Sequence, residues 1–425
     1  MKVASLKTNT ITATCPACGL LCDDIVLKNN KVANTNCPKA IAFFEQPLTN
    51  ATPQINGEPA TLQQAITHAA NLIKTSQQPL FAGLSTDVQG FRAIYNLAQK
   101  TNGSLQHINA QSTARNMKVL QSTGWQTTTL TEVKNRADVI VCFGDIATHH
   151  PRFFERFVDI DGMFIKAKQR EVIFIGENYD ISTEISPKTA TASLLACRAD
   201  VLPEITLVLR ALMAGKKLKA TEIAGVKVSD LQIVADKLKA AKYAVLAWVA
   251  KDLDFPHAEL TIQNITETVA IINQTTRAAG LPLGGSDGDT TANNANTWLS
   301  GFALNDEVVE HDLMVWVNSF SFDALFSKQS PETDKPQIVI GSTNLVGAAC
   351  SREAILLNNE AKSRLQAAPT KTPNVFIPIA TPGLDCSGTL FRIDSAVILP
   401  LKKIRENNLP TLSEIVSQIE ALLWS

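Results

Sequence analysis

Cysteines near the start of the chain carry its strongest chemical signal. Cys15, Cys18 and Cys22 fall within eight residues, in CPACGLLCDD, and Cys37 follows in NTNCPKA. Four thiolates are the usual ligand number for a [4Fe–4S] cube. Short spacings wrap a loop around one face of such a cube, and a distant cysteine closes the other side. Structural zinc is the rival, but it prefers two well-separated Cys-x2-4-Cys knuckles that complete a tetrahedron. Three crowded thiols and one remote one fit the cube better. Zinc, or a site that has lost its metal, are the alternatives.

The other reactive residues are weaker candidates. Cys142, Cys197, Cys350 and Cys386 lie among small or apolar residues, where cysteine acts as a small hydrophobe. His149 and His150 are adjacent, and neighbours in an extended chain point to opposite faces, which argues against a metal pair. The KNRAD stretch with Arg152 and Arg156 offers cations for an anion, but a loop fixed by ion pairs explains them more simply. In GLDCSGTLFRID, Gly383, Ser387, Gly388 and Arg392 follow the apolar run VFIPIA. Open α/β sheets bind ligands at the carboxyl ends of their strands, so this loop is a candidate ligand contact. No Gly-x-Gly-x-x-Gly or phosphate-binding P-loop occurs.

These residues need a scaffold, and the pattern supplies one. A chain of 425 residues exceeds one compact core, so two or three domains are expected. The 39 basic and 40 acidic residues give a formal charge of -1, without the surplus of a nucleic-acid binder. No run of ~18 apolar residues predicts a membrane span. The N-terminus lacks the apolar core of a signal peptide, so a cytoplasmic protein with free or metal-bound thiols is expected. DDIVLKNNKVANT reads as a hairpin between the third and fourth cysteines. Thr61 caps a helix over TLQQAITHAANLIKTS, and DVQGFRAIYNLAQKTNG reads as a helix ending at Gly103. QPLFAGLS, ADVIVCFGD, EVIFIGEN, AKYAVLAWVA, HDLMVWVNS and PQIVIGSTN are short β-rich runs separated by helical patterns. Such runs predict parallel sheets buried on both faces. The expected architecture is α/β: an N-terminal cysteine-bearing β layer over residues 1–55, a first Rossmann-like unit over 56–200, and a second over 201–425. Residues 284–297, GGSDGDTTANNANT, read as a polar loop.

An N-terminal cluster loop followed by two α/β domains resembles the large subunits of molybdopterin oxidoreductases such as formate dehydrogenases. More closely, CPACGLLCDD resembles the opening of the B subunit of formylmethanofuran dehydrogenase. TLTEVKNRADVIVCFGD with HHPRFFERF, and GTLFRIDSAVILPLKKI near the end, resemble further segments of that subunit. The resemblance implies one-carbon chemistry. Methanogen relatives reduce CO2 to formate at a tungsten- or molybdenum-pterin site, and a metal-dependent hydrolase subunit then makes formylmethanofuran. Methylotroph relatives belong to a formyltransferase/hydrolase complex that moves a formyl group from tetrahydromethanopterin to a methanofuran-like carrier and releases formate, with no net redox step.

Two departures from the family pattern bear on the redox centre. The family's metal ligand is a cysteine or selenocysteine in a Cys-His-Gly-Pro segment, and Ser112 stands at its approximate position in NAQSTARNMKVLQSTG. No Cys or His occurs between His107 and Cys142. The family's basic loop after a W-x-T-G element is also altered: Trp298 and Gly301 are kept, but no arginine occurs between Arg277 and Arg352. A pyrophosphate or oxyanion favours arginine. The expectation is a subunit with a [4Fe–4S] cluster, no molybdenum or tungsten pterin, and a mainly structural role alongside a hydrolase subunit, with no nucleic-acid or membrane partner. Gly383, Ser387, Gly388 and Arg392 would then be a vestigial pterin loop. The alternative is an active tungsten- or molybdenum-pterin dehydrogenase subunit.

Overall fold

A computed structural model describes residues 10–48, 51–177, 190–285, 288–304, 310–320, 336–342 and 373–424. Cys350 and Arg352, both named above, lie outside the described residues. The chain opens with a small antiparallel sheet of β1 (Thr10–Ala13), β2 (Ile25–Lys28) and β3 (Lys31–Val32). Asn29 and Asn30 turn β2 into β3 with φ of 52° and 61°, the left-handed pair that a tight hairpin needs. The expected hairpin is present. α1 (Pro38–Phe44) follows Cys37, then a short hairpin of β4 (Gln54–Ile55) and β5 (Glu58–Pro59).

Next come α2 (Leu62–Thr75), β6 (Pro79–Ser85), α3 (Val88–Thr101) and β7 (Ser104–His107). α2 starts on a reciprocal cap: Gln64 N–H donates to Thr61 Oγ1, and Thr61 N–H donates to Gln64 Oε1. α3 ends one residue earlier than expected, because Asn102 rather than Gly103 takes the left-handed cap at φ 54°.

Residues 111–284 form a unit of their own. Around its start and through it run α4 (Ala110–Thr123), α5 (Leu130–Arg136), β8 (Val139–Phe143), α6 (Ile146–His149), α7 (Phe153–Phe157), β9 (Glu171–Gly176) and β10 (Thr191–Ala196). They are followed by α8 (Leu202–Met213), the hairpin β11 (Glu222–Ile223) and β12 (Val226–Lys227), α9 (Val228–Ala240), β13 (Ala244–Val249), α10 (Glu259–Ile272) and β14 (Ala278–Leu283). Its five strands pair in parallel in the order β10-β9-β8-β13-β14. Trp248, fully buried, donates its indole N–H to Asn116 Oδ1 at 2.9 Å and so fixes α4.

The remaining described elements belong with residues 1–110. They are α11 (Asp289–Ser300), β15 (Leu313–Asn318), β16 (Ile338–Ser342), β17 (Val375–Ile379), the hairpin β18 (Gly388–Phe391)/β19 (Ile398–Leu401) and α12 (Leu412–Leu423). Strands β17-β16-β15-β6-β7 run parallel, and β4 adds to β17 antiparallel at the edge. Ile66, Ile94 and Leu97 meet Ile415 and Ile419 of α12 over Val315, Ile340 and Ile377 in one apolar core. Each such side chain contributes about 1.5–3 kcal/mol by burial.

The fold class is the expected α/β, but the boundaries differ from those expected at 55/56 and 200/201. One unit is discontinuous, and the other is inserted between its halves. Buried strands look alike locally, so nothing in β6 announces that it pairs with β15 rather than with β8. The 284–297 stretch also differs: from Asp289 onwards it is α11, not a loop. Asn and Thr are poor helix formers, and here buried Thr291, Ala292 and Ala295 hold the helix by packing.

Gly83 lies in β6 at φ +65°, with the Trp316 ring where a Cβ would stand. Gly83→Ala should cost about 3 kcal/mol or more, from overpacking plus a left-handed backbone. Gly215→Ala, at φ +73° in open space, should cost only about 1 kcal/mol. Urea midpoints of the two variants check the contrast.

Candidate functional site

The cysteine loop is a braced structure. Cys15 N–H donates to the Cys22 carbonyl at 2.8 Å, and Leu21 N–H to the Cys18 carbonyl at 3.2 Å. Leu21 sits at φ 45°, uncommon for a residue with a Cβ, and this left-handed step turns Cys22 back toward Cys15. Between them, Gly19 N–H donates to the Gly285 carbonyl at 3.0 Å, and the Gly19 carbonyl accepts from Ile393 N–H at 2.9 Å. Lys402 Nζ donates to the Thr12 carbonyl at 3.1 Å. Arg405, paired with Asp385 at 2.6 Å, donates to the Gln46 carbonyl at 2.9 Å. The β layer expected to stand apart over 1–55 is therefore bonded to the C-terminal segment of its own unit.

Cys15, Cys18, Cys22 and Cys37 are all buried, at 5, 6, 5 and 9 % exposure. Burial pushes the Cys15 thiol well up, and neighbouring Cys18, Cys22 and Cys37 add to the effect. Burial and then Cys22 raise Cys18 to about 12, with Lys39 pulling the other way. Buried soft donors held within one another's electrostatic range are a fit donor set for an iron–sulfur cluster, and loading one would release protons. Among the described residues, no three His, Cys, Asp or Glu side chains converge on a single-ion site.

A second feature lies at the strand ends of the same unit. The order β7-β6-β15-β16-β17 reverses direction between β6 and β15, the usual ligand crevice in open α/β sheets. A cavity of about 300 Å³ is lined by Asp87 after β6, Ser319 after β15, Ala380 after β17, the Cys386–Thr389 turn and the first residues of α12. Ser387 and Gly388 of the expected loop thus face it. Gly383 and Arg392 are not among its lining residues: Gly383 makes a left-handed turn at φ +81° beside Leu401 and Pro16, and Arg392 is held by Asp394 at 2.9 and 2.7 Å. Two of the four residues thus line the cavity.

Asp87 caps α3, accepting from Gly90 N–H at 3.0 Å, yet burial raises its carboxyl above the usual range. Burial, then Asp87, raises the Cys386 thiol to about 12. Ser319 Oγ is buried with no hydrogen-bond partner among the described residues. Among the described residues, the lining carries no Lys or Arg.

The inserted unit reverses strand order between β8 and β13. There His149 Nε2 and Asp252 Oδ1 are 2.6 Å apart, and Asp145 N–H donates to Asp252 Oδ2 at 2.9 Å. His149 ends α6 rather than lying in an extended stretch, and His150 is buried. Arg136 pairs with Glu132 and Arg152 with Glu155, which accounts for two cations of the KNRAD region as loop and helix ties. Ser112 is buried in the first turn of α4. Sequence reasoning missed Asp87 and Asp252. Both follow a β-rich run ending in a small residue, which is the signal that would have found them.

No protein-family profile matches the sequence. Over 419 residues, 92% of either chain, it is 26% identical to the B subunit of tungsten-containing formylmethanofuran dehydrogenase 2 of Methanococcus maripaludis. Over 427 residues, again 92% of each, it is 25% identical to the corresponding subunit of Methanocaldococcus jannaschii. Over nearly its whole length the chain is similar to formylmethanofuran dehydrogenase B subunits. Another relative, the B subunit of the formyltransferase/hydrolase complex Fhc of Methylorubrum extorquens, is 35% identical over 91 residues, 21% of this chain and 25% of that protein. The fold also matches a solved structure, the Methylorubrum extorquens FhcABCD complex with methylofuran. The TM-score is 0.66 at 21% identity, covering 88% of this chain and 99% of the matched one. This likeness supports the α/β architecture.

The raised thiols give a pH dependence with a definite sign. Cys18 and Cys386 move from 9.0 to about 12 on folding, so the neutral thiol is the favoured form. The stability they contribute is complete below about pH 9 and is lost as pH rises toward 12. Metal-free chain should therefore melt at falling temperature above about pH 9, and Cys18→Ser with Cys386→Ser should flatten that slope.

Proposed function

We propose that this chain is the B subunit of a formyltransferase/hydrolase-type complex in tetrahydromethanopterin-linked conversion of formaldehyde to formate. Cys15, Cys18, Cys22 and Cys37 hold a [4Fe–4S] cluster in this reading, and the pterin-metal centre of redox relatives is lost. One contrast carries it. The cysteine quartet is intact, buried and braced, while Ser112 stands where the family supplies a soft thiolate or selenolate. Thiolates are the better ligands for soft metals.

When bound, such a cluster supplies one-electron chemistry or a rigid cross-link. The chain's own contribution is positional: Gly19, held by Gly285 and Ile393, keeps the loop against the body of its unit. The partners are a metal-dependent hydrolase subunit and the other subunits of the complex. A stable interface of about 1,600 Å² or more is expected for such an assembly.

A second reading, an active tungsten- or molybdenum-pterin dehydrogenase subunit, is favoured by one observation. Both near-full-length relatives named above are tungsten-containing enzymes.

Metal analysis of anaerobically purified complex separates the readings. Iron and acid-labile sulfide are expected, with tungsten and molybdenum well below one per chain. Stoichiometric tungsten or molybdenum with pterin establishes the second reading, and stoichiometric zinc without sulfide removes the cluster. With its companion subunits, the chain should support formyl transfer and formate release without an electron acceptor. Ser112→Cys should not create formate oxidation, because the arginine-poor stretch after Trp298 is unchanged.

A further inference from the structure

We propose that residues 159–169 form a preorganised anchor, seating Met163 and Phe164 in an apolar pocket with an acidic rim on another subunit. The inference rests on the complex-subunit reading above and names the surface that reading leaves open. Met163 is 76 % and Phe164 62 % exposed. Single exposed apolar residues need no explanation. Two adjacent ones on a tightly fixed loop do.

The fixing is extensive. Met163 N–H donates to Asn135 Oδ1 and Phe164 N–H to the Asn135 carbonyl, both at 3.1 Å. Gly162 N–H donates to the Ile165 carbonyl at 2.8 Å, and Ala167 N–H to Asp161 Oδ1 at 3.0 Å. Gly162 packs so closely on the Lys134 carbonyl that a Cβ would collide with it. Beneath the loop, buried Arg170 donates to the Val133 carbonyl at 2.9 Å and the Ala137 carbonyl at 2.8 Å, and also to the carbonyls of Lys134 and Ile160. One guanidinium thus ties the loop to the end of α5. Ordering that is complete before contact reduces the entropy lost on binding, and a rigid aromatic with a neighbouring thioether is the size of an interface hot spot.

The rim selects the partner. Arg136 lies over the Phe164 ring at 4.3 Å. Lys134, Arg136, Lys166 and Lys168 outnumber by one the loop and α5 carboxylates beside them: Glu132, paired with Arg136, Asp161, paired with Lys166, and Asp159. Lys134 and Lys168 have no ion-pair partner among the described residues. A cationic rim fits a pocket edged by carboxylates and speeds encounter with it. The same rim repels a second copy of this chain. A membrane surface would call for a wider apolar face than two side chains.

The companion subunits, purified without this chain, are titrated with wild type, Met163→Ser/Phe164→Ser, Lys134→Glu/Lys168→Glu and Gly162→Ala. The double serine variant should keep its melting temperature, since both side chains are largely solvated, and lose roughly 30-fold or more in affinity. The charge variant should weaken binding mainly at low salt. Gly162→Ala should weaken it with both anchor residues present, which a merely sticky surface does not predict. Wild-type affinity in the serine variant overturns the anchor while leaving the complex-subunit reading intact. Anchor-dependent binding to anionic phospholipid vesicles, or anchor-dependent self-association in sedimentation, overturns it in favour of a membrane or a second copy. Failure of the wild type to bind any companion subunit overturns both readings together.

Discussion

Pairing of β15 with β6 is the contact on which the first unit depends. Leu313 aligns with Pro79 and Trp316 with Ala82, joining chain segments that a whole unit separates. Until that ladder forms, β16 and β17 have no sheet to extend and α12 has no surface to cover. Closing so long a loop costs only slightly more entropy than closing a short one. Non-local parallel pairing is nevertheless slow to find. Gly83 and Trp316 lie on this seam, where close fit leaves no room for a methyl group.

Both candidate sites follow from the same pairing. The cavity exists because strand order reverses between β6 and β15, which leaves a crevice that neither neighbouring crossover fills. The cysteine loop is held from Gly285 and Ile393, residues that belong to the returning half of the chain. Arg405 makes the tie twice over: its partner Asp385 is fully buried, and its other donor reaches back to Gln46. A buried pair of this kind is weak as a source of net stability but costly to break on one side. Its contribution here is to fix which segment lies against which.

Much of this was legible in the residues. Each apolar run named as a strand is one, and the Asn-Asn turn and the Thr61 cap have local signatures that tertiary context did not override. What failed was long-range. Linear boundaries could not reveal an insertion, because a strand buried on both faces does not encode its neighbour. β14, AAGLPL, was missed because Gly280 and Pro282 weaken the local signal, although Trp248 packs where a Cβ of Gly280 would stand. The bidentate pair of Arg392 with Asp394, only two residues away, was not legible because both read as parts of one polar turn.

The brace on the cysteine loop has a temporal meaning as well. During synthesis Cys15, Cys18, Cys22 and Cys37 emerge long before Ile393, Lys402 and Arg405, which hold that loop and its flanks. For most of translation the four thiols therefore lie in a segment without its anchors, open to solvent and to thiol chemistry. Burial comes only when the returning strands dock. The order of synthesis thus leaves the four thiols accessible until the segment that braces their loop has been made.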